Sequence, residues 1–169
     1  MRFVPTPVAC KLTGLSTEKL REWTSRRAIV PADVRPKGKG TAAKFSWQSV
    51  LTLRVAVLLR DQFNLELQAH KTSFDGLRTM LGENSFLSLW GNRLVLRPGG
   101  AWSLVDADKL PVVGDAIVIV LDPHLVALRD GFALPDASDG QLDLFSLPAV
   151  RGARRGSSSP ETTARRHSA

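Results

Sequence analysis

The chain is short of reactive side chains. Among its 169 residues there is one cysteine, Cys10, and there is no tyrosine. A lone thiol makes no disulfide within one chain, and a thiolate metal site would lack ligands. The three histidines, His70, His124 and His167, are scattered. Neither His70 nor His124 has a cysteine, histidine or carboxylate cluster beside it, which leaves metal ligation without a ligand set and points to surface or capping roles. No serine, cysteine or histidine constellation suggests a nucleophile, so an enzyme is not expected and no cofactor is implied. Asp106, Asp108, Asp115, Asp122 and Asp130 read as solvated turn or cap residues rather than as a metal cluster. No apolar run approaches the ~18 residues of a membrane-spanning helix, and Met1-Arg2-Phe3-Val4-Pro5 opens no signal peptide. The expected setting is cytoplasmic, with no membrane contact.

What the chain has is charge, unevenly placed. The formal net charge is +7. Residues 1–72 carry 13 Lys/Arg against 5 Asp/Glu, residues 73–150 carry 5 against 10, and residues 151–169 carry 5 against 1. A basic head on an acidic body suits a polyanion-binding module joined to a part with another task.

The first segment reads as helices with short breaks. Val8, Ala9 and Leu12 make a brief apolar stripe that also holds Cys10, read as a buried small hydrophobe. Gly14 ends the stripe as a C-cap. Ser16 is the next N-cap, with Glu18 in the first turn where the helix dipole favours an anion. Leu20, Trp23 and Arg27 then share one face of a second helix that stops before Pro31. Thr17, Glu18, Arg21, Glu22 and Ser25 lie on or near the opposite face, and Glu22 is expected to pair with Arg26 four residues on.

From Asp33 to Phe45, four basic residues surround two glycines, between Val34 and Phe45 as the two sides of a hairpin. The GxxxxGK[ST] spacing of a nucleotide-binding loop is missing. Ser46 caps a helix through roughly Gln62, and another helix is expected from about Leu65 to Leu81, with Gly76 as its weak point. Later the period changes. Arg93–Arg97 and Ala101–Val105 flank Pro98-Gly99-Gly100 as a hairpin, and 116–121 is a β-branched strand. Asp122-Pro123 reads as an N-cap and first helical residue of a short helix through about Arg129. Trp90 and Trp102 read as core residues rather than as the lining of an effector pocket.

The run Leu12-Thr13-Gly14-Leu15-Ser16-Thr17-Glu18-Lys19-Leu20-Arg21, then Trp23 and Val30-Pro31, resembles the MerR-type winged helix-turn-helix regulators. The likeness continues through Gly38-Lys39-Gly40-Thr41 and Lys44-Phe45-Ser46, through Leu58-Leu59-Arg60, and into Phe63-Asn64-Leu65. It covers about residues 6–80. It implies a DNA-binding module whose helix from Ser16 enters the major groove, with a wing at about 33–45 on the backbone. Two departures stand out: Glu22 where many members carry an aromatic residue, and Ala42 and Ala43 where they carry arginines.

On this reading Arg21 is the base-reading or phosphate-gripping arginine, able to donate in bidentate fashion to guanine O6 and N7. Ser16, Thr17, Lys19 and Ser25 supply further contacts, Thr17 and Ser25 being short enough to bond phosphate oxygens, and the amides at the helix start favour an anion. Arg35, Lys37, Lys39 and Lys44 supply phosphate contacts that read no sequence.

The stretch from Leu81-Gly82-Glu83 through Leu94-Val95-Leu96 and Leu121-Asp122-Pro123-His124-Leu125 to Asp130-Gly131 resembles the middle region of antitoxins that join a MerR-like head to a small β-rich body. Those proteins partner PIN-domain ribonuclease toxins, which makes a toxin protein an alternative partner for the acidic body. The expected fold class is α+β, in three parts. A winged helix-turn-helix occupies 1–80, a β-rich dimerisation or partner-binding region 83–147, and a disordered basic tail 148–169. The expected function is sequence-specific transcriptional regulation by a homodimer on double-stranded DNA.

Overall fold

The computed structural model describes residues 2–36, 38, 41–109 and 114–134. Among these residues the chain is a mixed α and β structure of five α-helices and two small antiparallel sheets. The 148–169 tail lies outside the described residues.

The first sheet was not legible in the sequence. Strand β1 (Phe3–Pro5) pairs with β2 (Lys44–Ser46), with Val4 opposite Phe45 and Pro5 opposite Lys44. Val4 and Phe45 face inward and are buried. Val34 adds an antiparallel bridge on Lys44, so Val34 does begin the returning limb and Lys44 closes it. Asp33 fixes the base of this limb, because its carboxylate accepts from the Ser46 amide at 2.7 Å and from Arg78 at 3.1 Å.

Helix α1 (Thr6–Thr13) ends at Gly14, whose φ of 74° supplies the left-handed C-cap expected there. Ser16 then caps α2 (Thr17–Arg21), its hydroxyl accepting from the Lys19 amide. Beyond Arg21 the helix widens. The Arg27 amide reaches back five residues to the Glu22 carbonyl, and this wide turn over Glu22–Arg26 ends at Ala28, held at φ 47°.

Helix α3 (Trp47–Phe63) starts on Ser46 as expected and closes on Asn64 in the left-handed conformation. Val50, Leu51, Leu53, Val55, Ala56 and Leu59 are fully buried. A helix apolar on most of its circumference needs cover from several sides. Helices α1, α4 (Lys71–Gly82) and α5 (Asp122–Phe132) supply that cover. Each large apolar side chain so buried contributes ~1.5–3 kcal/mol relative to exposure.

The single helix expected over 65–81 is instead a short 3-10 turn, Leu67–His70, followed by α4. At His70 φ is −108° and ψ is 18°, outside the helical range, which is where the axis breaks. Gly76 does not interrupt α4.

The second sheet has the order β4-β3-β5, from β3 (Asn92–Leu96), β4 (Trp102–Asp106) and β5 (Ile117–Val120). The hairpin turns at Gly99 and Gly100, with φ of 87° and 88°, values that glycine adopts without steric cost. Ser73 of α4 pins this turn by donating to the Gly100 carbonyl at 2.7 Å, and its own carbonyl accepts from the Trp102 indole at 2.9 Å. Trp90 and Trp102 are partly buried against the core, as expected. Residues from Val4 to Phe132 belong to one contiguous core. The close approach of α5 to α1 shows at Gly131, where a Cβ would lie 2.6 Å from a Leu12 methyl.

Two sequence readings of α5 need correction. The N-cap is Leu121 rather than Asp122, which is the first helical residue. The Asp122 carboxylate looks across to the sheet instead, accepting from the Gly91 amide at 3.1 Å and pairing with Arg93 at 3.3 Å. Asp130 lies within α5, not in a turn, and pairs with Arg129.

Candidate nucleic-acid interface

The buried side of α2 is set by Leu20 and Trp23, 1% and 2% exposed. Packing these two residues inward turns Thr17, Arg21 and Ser25 outward, and all three are exposed. Opposite them stands the returning limb, held by the Val34–Lys44 bridge. Between the two runs an open groove of about 510 Å3. Leu20 and Phe45 form its floor. Thr17, Arg21, Thr24, Ser25 and Arg26 line one side, Pro36 and Thr41–Ala43 the other, and Thr6 and Pro7 at the start of α1 lie at its edge.

The groove therefore joins three of the expected site residues, Thr17, Arg21 and Ser25. Ser16 is exposed but spends its hydroxyl oxygen on capping α2. Arg35 lines an adjoining hollow of about 240 Å3 with Thr24 and Ser25. Lys44 is exposed on β2 and does not line the groove. Lys37 and Lys39 lie outside the described residues.

Lys19 differs from its expected role because of Glu22. The Glu22 carboxylate pairs with Lys19 at 2.9 Å and with Arg27 at 2.8 Å. The expected Glu22–Arg26 pair does not form: the wide turn carries five residues, so position i+5 rather than i+4 comes round to Glu22. The same extra residue moves Arg27 off the buried face, and its side chain is 53% exposed. The Lys19 hydrogen bond, opposed by some desolvation and helped by the charge of Arg27, holds the Glu22 carboxyl below its ordinary range. Glu22 stays ionised and engages both Lys19 and Arg27, offsetting one of their two positive charges.

Arg21 and Arg26 remain. Neither forms a hydrogen bond or ion pair among the described residues. A guanidinium with five donors and no internal acceptor is suited to phosphate oxygens or to the guanine edge. Thr6, Thr24 and Thr41 carry no sequence signal that places them at the groove. Thr6 reaches the groove through the β1–β2 pairing, which a three-residue strand does not announce. Arg26 had been assigned to Glu22, and no sequence signal marks the wide turn that frees it.

Other side chains with reactive or titratable groups are accounted for locally. Cys10 is half-buried rather than buried, 3.8 Å from the Thr17 hydroxyl. His124 is neither a surface nor a capping residue. Its Nδ1 accepts from Arg54 Nε at 3.2 Å, and the same guanidinium donates to the Leu12 carbonyl at the end of α1. Burial, reinforced by the Arg54 charge, pushes the His124 pKa down to about 4. Burial also lowers the pKa of Arg54. No group of three or more His, Cys, Asp or Glu residues able to hold a metal occurs among the described residues. No helix there is long and apolar enough to cross a membrane. No protein-family model and no curated protein matches the chain.

Proposed function

We propose that this protein is a sequence-specific transcriptional regulator that binds double-stranded DNA as a homodimer. On this reading α1 and α2 form a helix-turn-helix, and the limb from Asp33 to Phe45 is its wing. α2 is the recognition helix, entering the major groove with Arg21 toward the base edges, while Thr17, Ser25 and Arg26 hold the backbone. Arg35 and Lys44 add phosphate contacts from the wing, and a two-fold assembly places half-sites about one helical turn apart, ~10 bp.

One observation carries the reading. Among the described residues nothing covers the outward side of α2, and it presents Arg21 without a partner beside an open groove. An arginine needed for folding would be spent on an internal acceptor, as Arg78 is on Asp33.

The test compares two variants on operator and random duplexes over a salt series. Arg21→Ala is expected to lose ~1–3 kcal/mol of discrimination between the two duplexes, the cost of a missing bidentate base contact. Lys44→Ala is expected to weaken both duplexes alike and to flatten the salt slope by about one unit. Equal loss on both duplexes for Arg21→Ala would reduce it to a backbone contact. Duplex affinity of the wild type no greater than that of an unrelated basic domain would refute DNA binding altogether.

A further inference from the structure

Among the described residues one β-bridge joins the two sides of the limb from Asp33 to Phe45. Across it the Val34 and Lys44 amides each donate to the other's carbonyl, at 3.1 and 3.0 Å. A single bridge sets the pairing of the limb but not the angle at which it leaves the fold. That angle depends on how the base is held. Asp33 stands at the base, directly before the bridge residue Val34, and its side chain is 17% exposed. Both carboxylate oxygens are engaged. Oδ2 accepts from the buried Ser46 amide at 2.7 Å, and Oδ1 accepts from Arg78 at 3.1 Å. Ser46 caps α3, so the first contact ties the limb to the start of that helix. Arg78 reaches Asp33 from α4, 45 residues further along the chain. It lines neither the groove nor the hollow beside Arg35. Helix α4 is in turn pinned to the second sheet, where Ser73 holds Gly100 and Trp102.

Charge gives the pair a second effect. A bare carboxylate two residues from Arg35 would oppose phosphate binding there, and the Arg78 cation offsets it.

We propose that Arg78 is the positioning residue of the wing: acting through Asp33, it fixes the limb at the angle that presents Arg35 and Lys44 to the DNA backbone. The inference rests on the DNA-binding reading above and gives α4 a part in it. The path is short. Asp33 is followed by Val34, whose bridge holds Lys44, and then by Arg35. Arg78 itself touches no phosphate.

The test compares the wild type, Arg78→Met and Arg78→Lys in the full chain. Methionine keeps an unbranched, adaptable side chain and removes the charge. Amide hydrogen exchange without DNA reads the limb directly. In Arg78→Met the Val34 and Lys44 amides are expected to exchange ~10-fold faster, while the buried stretch of α3 from Val50 to Leu59 keeps its protection. Binding to random duplex DNA over a salt series reads the consequence. Its slope is expected to flatten by about one to two units, as Arg35 and Lys44 lose their phosphates. Arg78→Lys is expected to recover most of both effects. Asp33→Asn keeps an acceptor for the Ser46 amide but ends the ion pair. It is expected to shift both readouts in the same direction, which covers the case in which the methionine variant does not fold. Arg35→Ala supplies the decisive comparison, because its own slope loss is expected to vanish in the Arg78→Met background. Additive losses would make Arg78 a phosphate contact in its own right and overturn the proposal. So would unchanged exchange at Val34 and Lys44, or faster exchange shared equally by α3. A wild type without duplex affinity removes the regulator, and the exchange rates alone then decide whether Arg78 holds the limb.

Discussion

Replacing His124 with glutamine should remove most of the loss of stability between pH 7 and pH 5. The ring lies between α3 and α5, and its unprotonated Nδ1 accepts from Arg54, which also holds the Leu12 carbonyl of α1. Burial disfavours the imidazolium, and the Arg54 charge beside it adds to the cost, so the folded pKa falls from 6.5 to about 4. The sign follows from linkage. Between those two values the unfolded chain binds the proton and the folded chain does not, so stability falls as pH drops from about 6.5 toward 4. The full shift sets an upper figure of about 3 kcal/mol at 1.36 kcal/mol per pKa unit. Over pH 7 to 5, with a discount for partial exposure to water, ~1–2 kcal/mol remains. The carboxylates act lower down: the Glu22 carboxyl starts from an ordinary value of 4.5 and is held below it by Lys19, so its contribution fades only below that pH. Asp61 lines the same hollow as His124 and Arg54, and the Arg60 hydrogen bond holds its carboxyl below the ordinary range, so it stays charged between pH 7 and 5. Urea unfolding at pH 7, 6 and 5 provides the measurement. His124→Gln keeps an acceptor for Arg54 but has no proton to gain, so its stability should stay nearly level while the wild type declines. Parallel curves would refute the assignment of His124 as a neutral acceptor.

Other substitutions probe packing and the α2 surface. A Cβ at Gly76 meets nothing within 4 Å on exposed α4, so Gly76→Ala should stabilise by ~0.5–1 kcal/mol in urea unfolding. A Cβ at Gly131 would lie 2.6–3.1 Å from three Leu12 carbons, and Gly131→Ala should destabilise by ~1–3 kcal/mol despite its better helix propensity. Glu22→Gln removes the carboxylate that holds Lys19 and Arg27. It should tighten nonspecific duplex binding and steepen the salt slope by up to about two units, one for each released cation; an unchanged slope would place Glu22 outside the DNA footprint.

Most element positions were legible because local signals did the work. Gly14, Ser16, Ser46 and the Pro98–Gly100 turn each mark a boundary through backbone geometry that neighbouring residues alone determine. What escaped depends on partners distant in sequence. Strand β1 exists because Lys44–Ser46 is there to pair with it, and three residues with a proline carry no period. The break at His70 lies in a stretch whose leucines keep helical spacing on both sides. The wide turn after Arg21 is the omission with most consequence, because one extra residue gives Arg27 the carboxylate partner that helical spacing assigns to Arg26 and leaves Arg26 unpaired. Three of the nine expected site residues meet in the groove. Lys19 was misplaced because a basic residue on an outward helix face reads as available until its acid partner is located.

These pairings alter what the basic head can do. Its composition promises eight surplus cations over residues 1–72, yet several are taken by internal contacts. Arg54 is held by His124 and Leu12, Arg60 by Asp61 and the Trp23 ring, and Lys19 and Arg27 by Glu22. Arg2 is bound to the carbonyls of Phe132 and Ala133 at the end of α5. Apart from Lys11 and Lys71, which lie away from α2 and the limb in sequence, the described cations left for a duplex on the proposed reading are Arg21, Arg26, Arg35 and Lys44. Fewer phosphate contacts mean a weaker nonspecific background, since each contributes through counterion release. Discrimination then depends more on the Arg21 base contact and on any doubling of half-sites by dimerisation.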